Sequence, residues 1–485
     1  GVINIITKQG SGKPSANILF TGGTYKTFKE AVGASAQIKK TAIAFNASNL
    51  DSKGFSTAAR RSTSSSTPFD SDDFHQKSAG LNVRQFLTSR WSVKGNLQYN
   101  LNEAALDNGA FEDADNYTYN KTAVLIGLGN RFVFNKGNLN VNLSQNNVSN
   151  KYDNNEAITN NKGRITHAEA ILNYPIAEFI DLTGGGAVKH MRTSQKSPYG
   201  ELSPDSANNT IGSLFSSLFF KTNGGFRAEL GGRFNNHSEY GNNFTYTVNP
   251  SFVIKDRYKI FVNISSAYKV PSLYQLYSQY GNLSLKPETS RTYEAGFDLD
   301  IIQNKLNVNF SYFDRSIIDV IDFGQISPGR FGYINQNKQK DNGFEAELSL
   351  KPVSWFDLTA FYAFVNGEVT TPAKTEYNLF RRPKNTVGAT AGVKLGDKID
   401  LSLIYKWSDR RKERYYDASI PPFGATVNAD LDSYHLIDTY IQYRPYSKLI
   451  LFADVKNLLD KDYIEFMGYN TKGINFNAGL KLEFN

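Results

Sequence analysis

The chain has 485 residues, a formal net charge of +8, 13% aromatic residues and no cysteine, which excludes disulfides, thiolate metal sites and a thiol nucleophile. Mean hydropathy is −0.44 and no apolar run approaches 18 residues, which excludes a transmembrane helix. Lysine and arginine are scattered through turns and loops, with no basic run interleaved with aromatics, which argues against nucleic acid as a partner and fits a surface near anionic lipid.

Apolar and polar side chains alternate from about residue 15 onward. The alternation predicts strands near 15–25, 29–38, 41–51, 77–87, 91–102, 119–134, 139–148, 164–174, 179–191, 209–222 and 225–237. It continues near 244–254, 258–269, 291–300, 306–317, 338–351, 355–366, 384–395, 399–408, 434–444, 449–458 and 476–485. In 399–408, Ile399, Leu401, Leu403, Tyr405 and Trp407 point one way, while Asp400, Ser402, Lys406 and Ser408 point the other. Only Ile404 breaks the polar face. Such a segment has the length a tilted strand needs to cross a bilayer.

The connections alternate as well. One set is tight: Lys39-Lys40, Thr88-Ser89-Arg90, Asn135 to Asn138, Lys255-Asp256-Arg257, Gly396-Asp397-Lys398 and Pro445 to Lys448. The other is mostly long: 52–76, 103–118, 149–163, 192–208, 270–290, 318–337, 367–383, 409–433 and 459–475. Short turns on one side and long loops on the other predict an all-β fold, a closed transmembrane antiparallel β-barrel of about 22 strands. A barrel of that size is too wide for its own side chains to fill. High aromatic content suits interfacial girdles. Gly184-Gly185-Gly186 falls inside a strand pattern and predicts a bulge or sharp curvature. The five histidines lack metal-ligand spacing, and no nucleophile elbow or histidine-centred triad argues for an enzyme.

The chain opens in strand-like sequence, Gly1-Val2-Ile3-Asn4-Ile5-Ile6-Thr7-Lys8, with no signal peptide. A barrel bound for an outer membrane is exported, so a segment ahead of Gly1 is expected to be missing.

Three further stretches carry a resemblance. The first runs Ala267-Tyr268-Lys269-Val270-Pro271-Ser272-Leu273-Tyr274-Gln275-Leu276-Tyr277, then Tyr280-Gly281-Asn282-Leu283-Ser284-Leu285-Lys286-Pro287-Glu288, to Tyr293-Glu294-Ala295-Gly296. The others are Asn342-Gly343-Phe344-Glu345-Ala346-Glu347 and Asn457-Leu458-Leu459-Asp460-Lys461-Asp462-Tyr463. Together with Gly1 to Lys8, which looks like the end of a plug domain, they resemble the TonB-dependent outer-membrane receptors over essentially the whole chain. The resemblance implies that residues 1–12 end a plug and 13–485 form the barrel. It implies a Gram-negative outer-membrane receptor for active uptake of a large scarce nutrient. An energy-transducing TonB-type partner would engage it through the missing N-terminal segment.

Lys461-Asp462-Tyr463, Gly468-Tyr469-Asn470-Thr471, Gly473-Ile474-Asn475-Phe476 and Leu379-Phe380-Arg381-Arg382 are more narrowly similar to the cobalamin (vitamin B12) receptors of that family. That likeness implies a corrinoid ligand, a capping surface lipoprotein, and calcium in the early extracellular loops. The matching carboxylates are Asp70, Asp72 and Asp73 in one loop and Asp107, Asp113 and Asp115, with Glu112, in the next. It points to Arg411, with Arg410, Arg414, Tyr415 and Tyr416, and to Tyr280 and Asn282, as ligand contacts. Siderophore and haem receptors share the first motif and stay open as alternatives, with His75 or His237 as a haem axial ligand. A passive porin or adhesin is the alternative from another class.

Overall fold

The computed structural model describes residues 10, 12–61, 68–327, 330–371, 375–377, 379–422 and 424–484. Of the expected plug remnant at 1–12, only Gly10 and Gly12 are among the described residues, and the Gly12 carbonyl accepts from the Gln37 amide at 3.1 Å.

The period-two alternation yields antiparallel strands that each pair with the next in sequence. The main sheet counts 24 described strands; two of them, Gly200–Leu202 and Thr375–Tyr377, are three-residue pieces in loops, and the other 22 form a closed barrel. Closure is made by Ser15–Gly23, which pairs with Thr27–Ile38 on one side and Asn475–Phe484 on the other. Its register to the last strand runs from Ala16↔Phe484 to Gly23↔Asn477. The described strands leave no open edge, so the amides of the wall are satisfied within it, nearly all by the ladders and Tyr246 by the Ser266 hydroxyl at 2.9 Å. No described helix is long and apolar enough to cross a membrane.

One end of the wall carries tight connections throughout, for example between Thr27–Ile38 and Thr41–Ser52 and between Tyr117–Phe134 and Gly137–Asp153. Exposed Trp91, Phe132, Phe179, Trp355, Tyr446 and Phe484 ring that end as an aromatic girdle. The opposite end carries the long connections, 53–73, 107–116, 270–287, 371–384, 409–433 and 457–474. The functional side chains gather there.

Three expectations need correction. Residues 149–163 and 318–337 do not form long loops. Strands Gly137–Asp153 and Ile158–Ala177 pair out to Asp153↔Ile158, and Leu306–Ser327 pairs with Arg330–Val353 out to Ser327↔Arg330. A ladder rising above the membrane meets water on both faces, so nothing imposes alternation: 149–163 is mostly polar, and in 318–337 Val320 and Ile321 are neighbours and glycines interrupt. The three glycines lie in an unbroken ladder, Gly184↔Ser216, Gly185↔Phe215 and Gly186↔Leu214, with no bulge. Gly185 instead lies under the Phe215 ring, where a Cβ would fall 2.8 Å from the ring carbon Cζ. The expected loop 270–290 is not wholly irregular: it holds a helix, Leu273–Tyr277, started by a capping box in which Ser272 and Gln275 bond each other's amides.

Candidate functional site

Two constellations share the long-loop end: an acidic cluster on the early loops and an aromatic, arginine-bearing cup under a hairpin.

The acidic cluster is built from loops 53–73 and 107–116. Asp70, Asp107 and Asp113 bring carboxylate oxygens within 4.8 Å of one another, about twice a calcium–oxygen distance. Asp72 stands beside them. The Thr57 hydroxyl lies 2.6 Å from Asp72 Oδ2 and 2.7 Å from Asp107 Oδ2, and its single proton serves only one of them at a time. The amides of Thr57 and Ala58 donate to Asp72 and Asp107 at 2.6 and 2.5 Å. Asp72 Oδ1 and Asp113 Oδ1 are buried without a partner. Burial, then the Asp70 and Asp107 charges, push the Asp113 carboxyl up to about 6. Burial likewise raises Asp70 and Asp72. Crowded, part-buried carboxylates with orphaned oxygens are the donor set a hard dication needs. Of the other residues expected here, Asp73 turns away to Lys53 (3.5 Å) and His75 Nε2 (3.4 Å), and Asp115 and Glu112 are exposed outside the trio.

What fixes these loops is the last long loop. Gly468 adopts a φ of +86° and packs against Ala110, where a Cβ would lie 2.5 Å from the alanine methyl. Its carbonyl accepts from the Ala59 and Phe111 amides at 2.8 and 3.0 Å. Tyr469 bridges Ala58. Asn470 donates its amide to Thr57 O at 2.8 Å and its side chain to Ser56 O and Ala58 O at 3.0 and 2.8 Å. The Gly-Tyr-Asn run is thus wedged between the loops that carry the carboxylates.

The cup forms because loop 409–433 folds into its own two-stranded sheet, Arg411–Asp417 with Ala425–Leu431. Neighbouring loops grip it along its length. Arg61 pairs with Asp417 at 2.7 Å and covers the Phe111 ring at 4.4 Å. The Ser419 hydroxyl, then Arg61, hold the Asp417 carboxyl below its usual range. Arg381 Nε donates to fully buried Glu413 at 2.6 Å, and Arg414 bonds both oxygens of Glu376 at 3.1 Å while its guanidinium stacks on Phe380 at 4.1 Å. Facing the hairpin, Phe323 sits amid Tyr280 (5.4 Å), Tyr333 (5.1 Å) and Phe331 (6.2 Å). The cup is half-open and about 960 Å³, with Tyr280, Phe323, Arg381, Arg414, Tyr415 and Tyr416 on its walls.

Of the expected ligand contacts, Tyr280, Tyr415 and Tyr416 face the cup. Arg411 does not: it is buried, donates to Ile464 O, and lies over the Tyr434 ring at 5.2 Å. It ties the hairpin base to the last loop, where the Tyr434 ring packs tilted against Tyr463 at 4.6 Å and its hydroxyl donates to Glu465 at 3.0 Å. Arg410 is exposed, 3.8 Å from Asp432. Asn282 holds its own turn to the wall by donating to Tyr333 O at 3.0 Å. Phe323, Phe331, Phe380 and Arg381 went unrecognised as cup residues, as did Glu413, buried beneath Arg381. The first two come from strands that read as loop, and pairing across loops leaves no periodic signal. Neither haem-ligand candidate is free: His75 Nδ1 is bonded to Asp51 at 2.6 Å, and His237 Nδ1 accepts from the Glu239 and Tyr240 amides, which leaves the proton on Nε2.

A closed 22-strand barrel with short turns and a girdle at one end and ligand-sized recesses at the other is an outer-membrane receptor of the large, energised class. The chain belongs to the TonB-dependent receptor family: the model described as TonB dependent receptor-like, beta-barrel matches residues 20–458. It is a TonB-dependent outer-membrane receptor of the Gram-negative type, and its family are transport receptors rather than enzymes. Among solved structures it is similar to the ferric enterobactin receptor of Pseudomonas aeruginosa, at 18% identity over 100% of this chain and 82% of that one, with a TM-score of 0.83. The siderophore receptor PirA of Acinetobacter baumannii matches at 16% over 99% and 82%, TM-score 0.81. The ferripyoverdine receptor of Pseudomonas aeruginosa matches at 13% over 98% and 72%, TM-score 0.80. At these identities the likeness is one of fold.

Proposed function

We propose that the receptor takes up a corrinoid, with calcium bound by Asp70, Asp107 and Asp113 ordering the loops that present the ligand. The observation that carries this reading is the docking of Gly468-Tyr469-Asn470 onto Ser56-Thr57-Ala58, the segment whose amides bind Asp72 and Asp107. The last loop that carries the cobalamin resemblance and the acidic early loops in which that resemblance implies calcium are therefore one structural unit. A cup of about 960 Å³ suits a ligand of that bulk, and tyrosines suit packing on its faces. Uptake would be driven through a TonB-type partner that engages a segment preceding the barrel.

A second reading has its own support. Arg381 and Arg414 among Tyr280, Phe323 and Phe331 are the chemistry that recognises an anionic, ring-bearing ferric chelate, and the solved relatives above bear siderophore-receptor names. Equilibrium binding of cyanocobalamin and of a ferric catecholate chelate to the purified receptor, each with calcium and with EDTA, separates them. The corrinoid reading expects cyanocobalamin to bind at least tenfold tighter with calcium. Tighter binding of the chelate, indifferent to calcium, would replace it with the second. Uptake in cells that persists after the proton-motive force is collapsed would refute energised transport.

A further inference from the structure

Following the register from strand to strand separates the two faces of the wall between Tyr117–Phe134 and Asn208–Lys221. Leu128 pairs with Leu143, Leu143 with Ala168, Ala168 with Val188, and Val188 with Gly212. In this row Leu128, Leu143 and Val188 are each more than half exposed, while the adjacent row, Asn142, Glu169 and Ser213, is polar or tucked in. Large apolar side chains laid open in a barrel wall face lipid. An outward groove of about 520 Å³ follows this band, lined by Val141, Leu143, Ala168, Ala170, Val188 and Leu214.

Two residues further toward the long-loop end, the same face turns polar: Gln145, Thr166, His190 and Thr210. After two more it turns basic. Arg164 stands directly opposite Arg192, and Lys162 follows on the next outward position, paired with Ser194. The rise from Ala168 to Arg164 is four residues, about 13 Å along the strand at roughly 3.3 Å each. A second groove, of about 340 Å³, lies there among Thr122, Asn147, Ser149, Lys162, Arg164 and Arg192. Arg164 donates to Asn147 at 2.8 Å, and among the described residues none of the three cations has a carboxylate partner. Two acids of this wall are engaged or opposed, Asp153 by Lys151 at 2.8 Å and Glu201 across from Lys196, and Asp205, beside the lining residue Pro204, is exposed. Like charges set opposite each other on a strand pair are unfavourable unless an anion joins them.

We propose that this groove binds the phosphate-bearing headgroup of an outer-leaflet lipid. The guanidinium forks of Arg164 and Arg192 suit phosphate oxygens, and Lys162 adds a point charge. The cations sit at headgroup height above the lipid-facing band, and the apolar groove directly below, on the same strands, takes an acyl chain. Charge and position together select a membrane lipid over a soluble anion.

Native mass spectrometry of the purified, detergent-solubilised receptor tests this with three probes: a diphosphorylated lipid A, the same glycolipid stripped of phosphate, and inorganic phosphate. The diphosphorylated lipid should bind at least tenfold tighter than its stripped form. The triple variant K162Q/R164Q/R192Q should abolish that difference, while K136Q/K255Q/K305Q, matched in charge but set in turns at the other end, should keep it. Retained strand circular dichroism reports folding of each variant. Should the triple variant fail to fold, Arg192→Gln alone is expected to weaken the phosphorylated lipid at least threefold. Equal binding of the two glycolipids, or wild-type binding by the folded variants, overturns the proposal. So does inorganic phosphate binding as tightly as the lipid, which would make this a free-anion site.

Discussion

Replacing Asp113 with asparagine removes one charge from a cluster whose carboxylate oxygens lie within 4.8 Å of one another. Two unit charges at that separation repel by about 3.5 kcal/mol at an effective dielectric of about 20, and by about 0.9 kcal/mol in bulk water. The rise of Asp113 from its ordinary 3.8 to about 6 is roughly two pKa units, or about 3 kcal/mol at ~1.36 kcal/mol per unit. Asp70 is exposed and screened, so a range of about 1–3 kcal/mol is the appropriate expectation. The sign follows from the direction. A carboxyl raised in the folded state holds its proton more tightly there, so loop order is greatest below about pH 4 and falls as pH rises through about 6. A bound dication replaces the proton and restores order above that point. Hydrogen exchange of residues 56–58 and 107–114, corrected for intrinsic rates, reads this directly. In EDTA the wild-type loops should exchange roughly 5- to 150-fold faster at pH 7.5 than at pH 4, and D113N should flatten that dependence. Calcium at pH 7.5 should protect the wild type and leave D113N little changed. Wild-type exchange indifferent to both pH and calcium would refute the reasoning.

Asn470→Ala removes two side-chain bonds to the Ser56 and Ala58 carbonyls, worth about 1 kcal/mol each, and should weaken calcium binding by roughly tenfold or more in a titration. Arg61→Ala breaks the pairing with Asp417; exchange at 415–419 should rise about five- to tenfold, with the circular dichroism of the barrel unchanged. Because the Asp417 carboxyl is held low, its contribution to hairpin order is present above about pH 4 and lost below it, which an acid titration of the same amides will show. Arg414→Ala, facing the cup, should weaken ligand binding at least tenfold. Arg411→Ala should loosen Tyr463 to Glu465 by exchange and affect ligand binding only through that loosening. Ligand affinity that falls for Arg411→Ala without added exchange in the last loop would restore Arg411 as a direct contact.

The wall was legible because lipid on one side imposes a strict period of two: Ile399 to Ser408 announces both its face and its ends, and the observed strand has those bounds. Legibility stops where lipid stops. Leu306–Ser327 and Arg330–Val353 run on into water, and their upper halves, where Val320 and Ile321 are neighbours and Gly324 and Gly332 interrupt, lose the period of two and read as a loop. The sites lie in this unreadable zone. Motif resemblance found the acidic loops and the tyrosines of the hairpin, since each sits in a contiguous run. It aligned Arg411 with a ligand-contacting arginine and took in Arg414 as a neighbour, yet the strand pairing of Arg411–Asp417 with Ala425–Leu431 sends the first into the loop base and the second into the cup. Glu413 is fully buried on one loop and answers Arg381 on another, a relation no local pattern encodes.

The seam of the barrel also bears on how the wall holds together. Ala16 meets Phe484, and without that pairing two raw strand edges would stand open. A lesion confined to Asn475–Phe484 unpairs both Ser15–Gly23 and Leu449–Lys456, so it is expected to weaken the whole wall although none of its residues lines the cup or the acidic cluster.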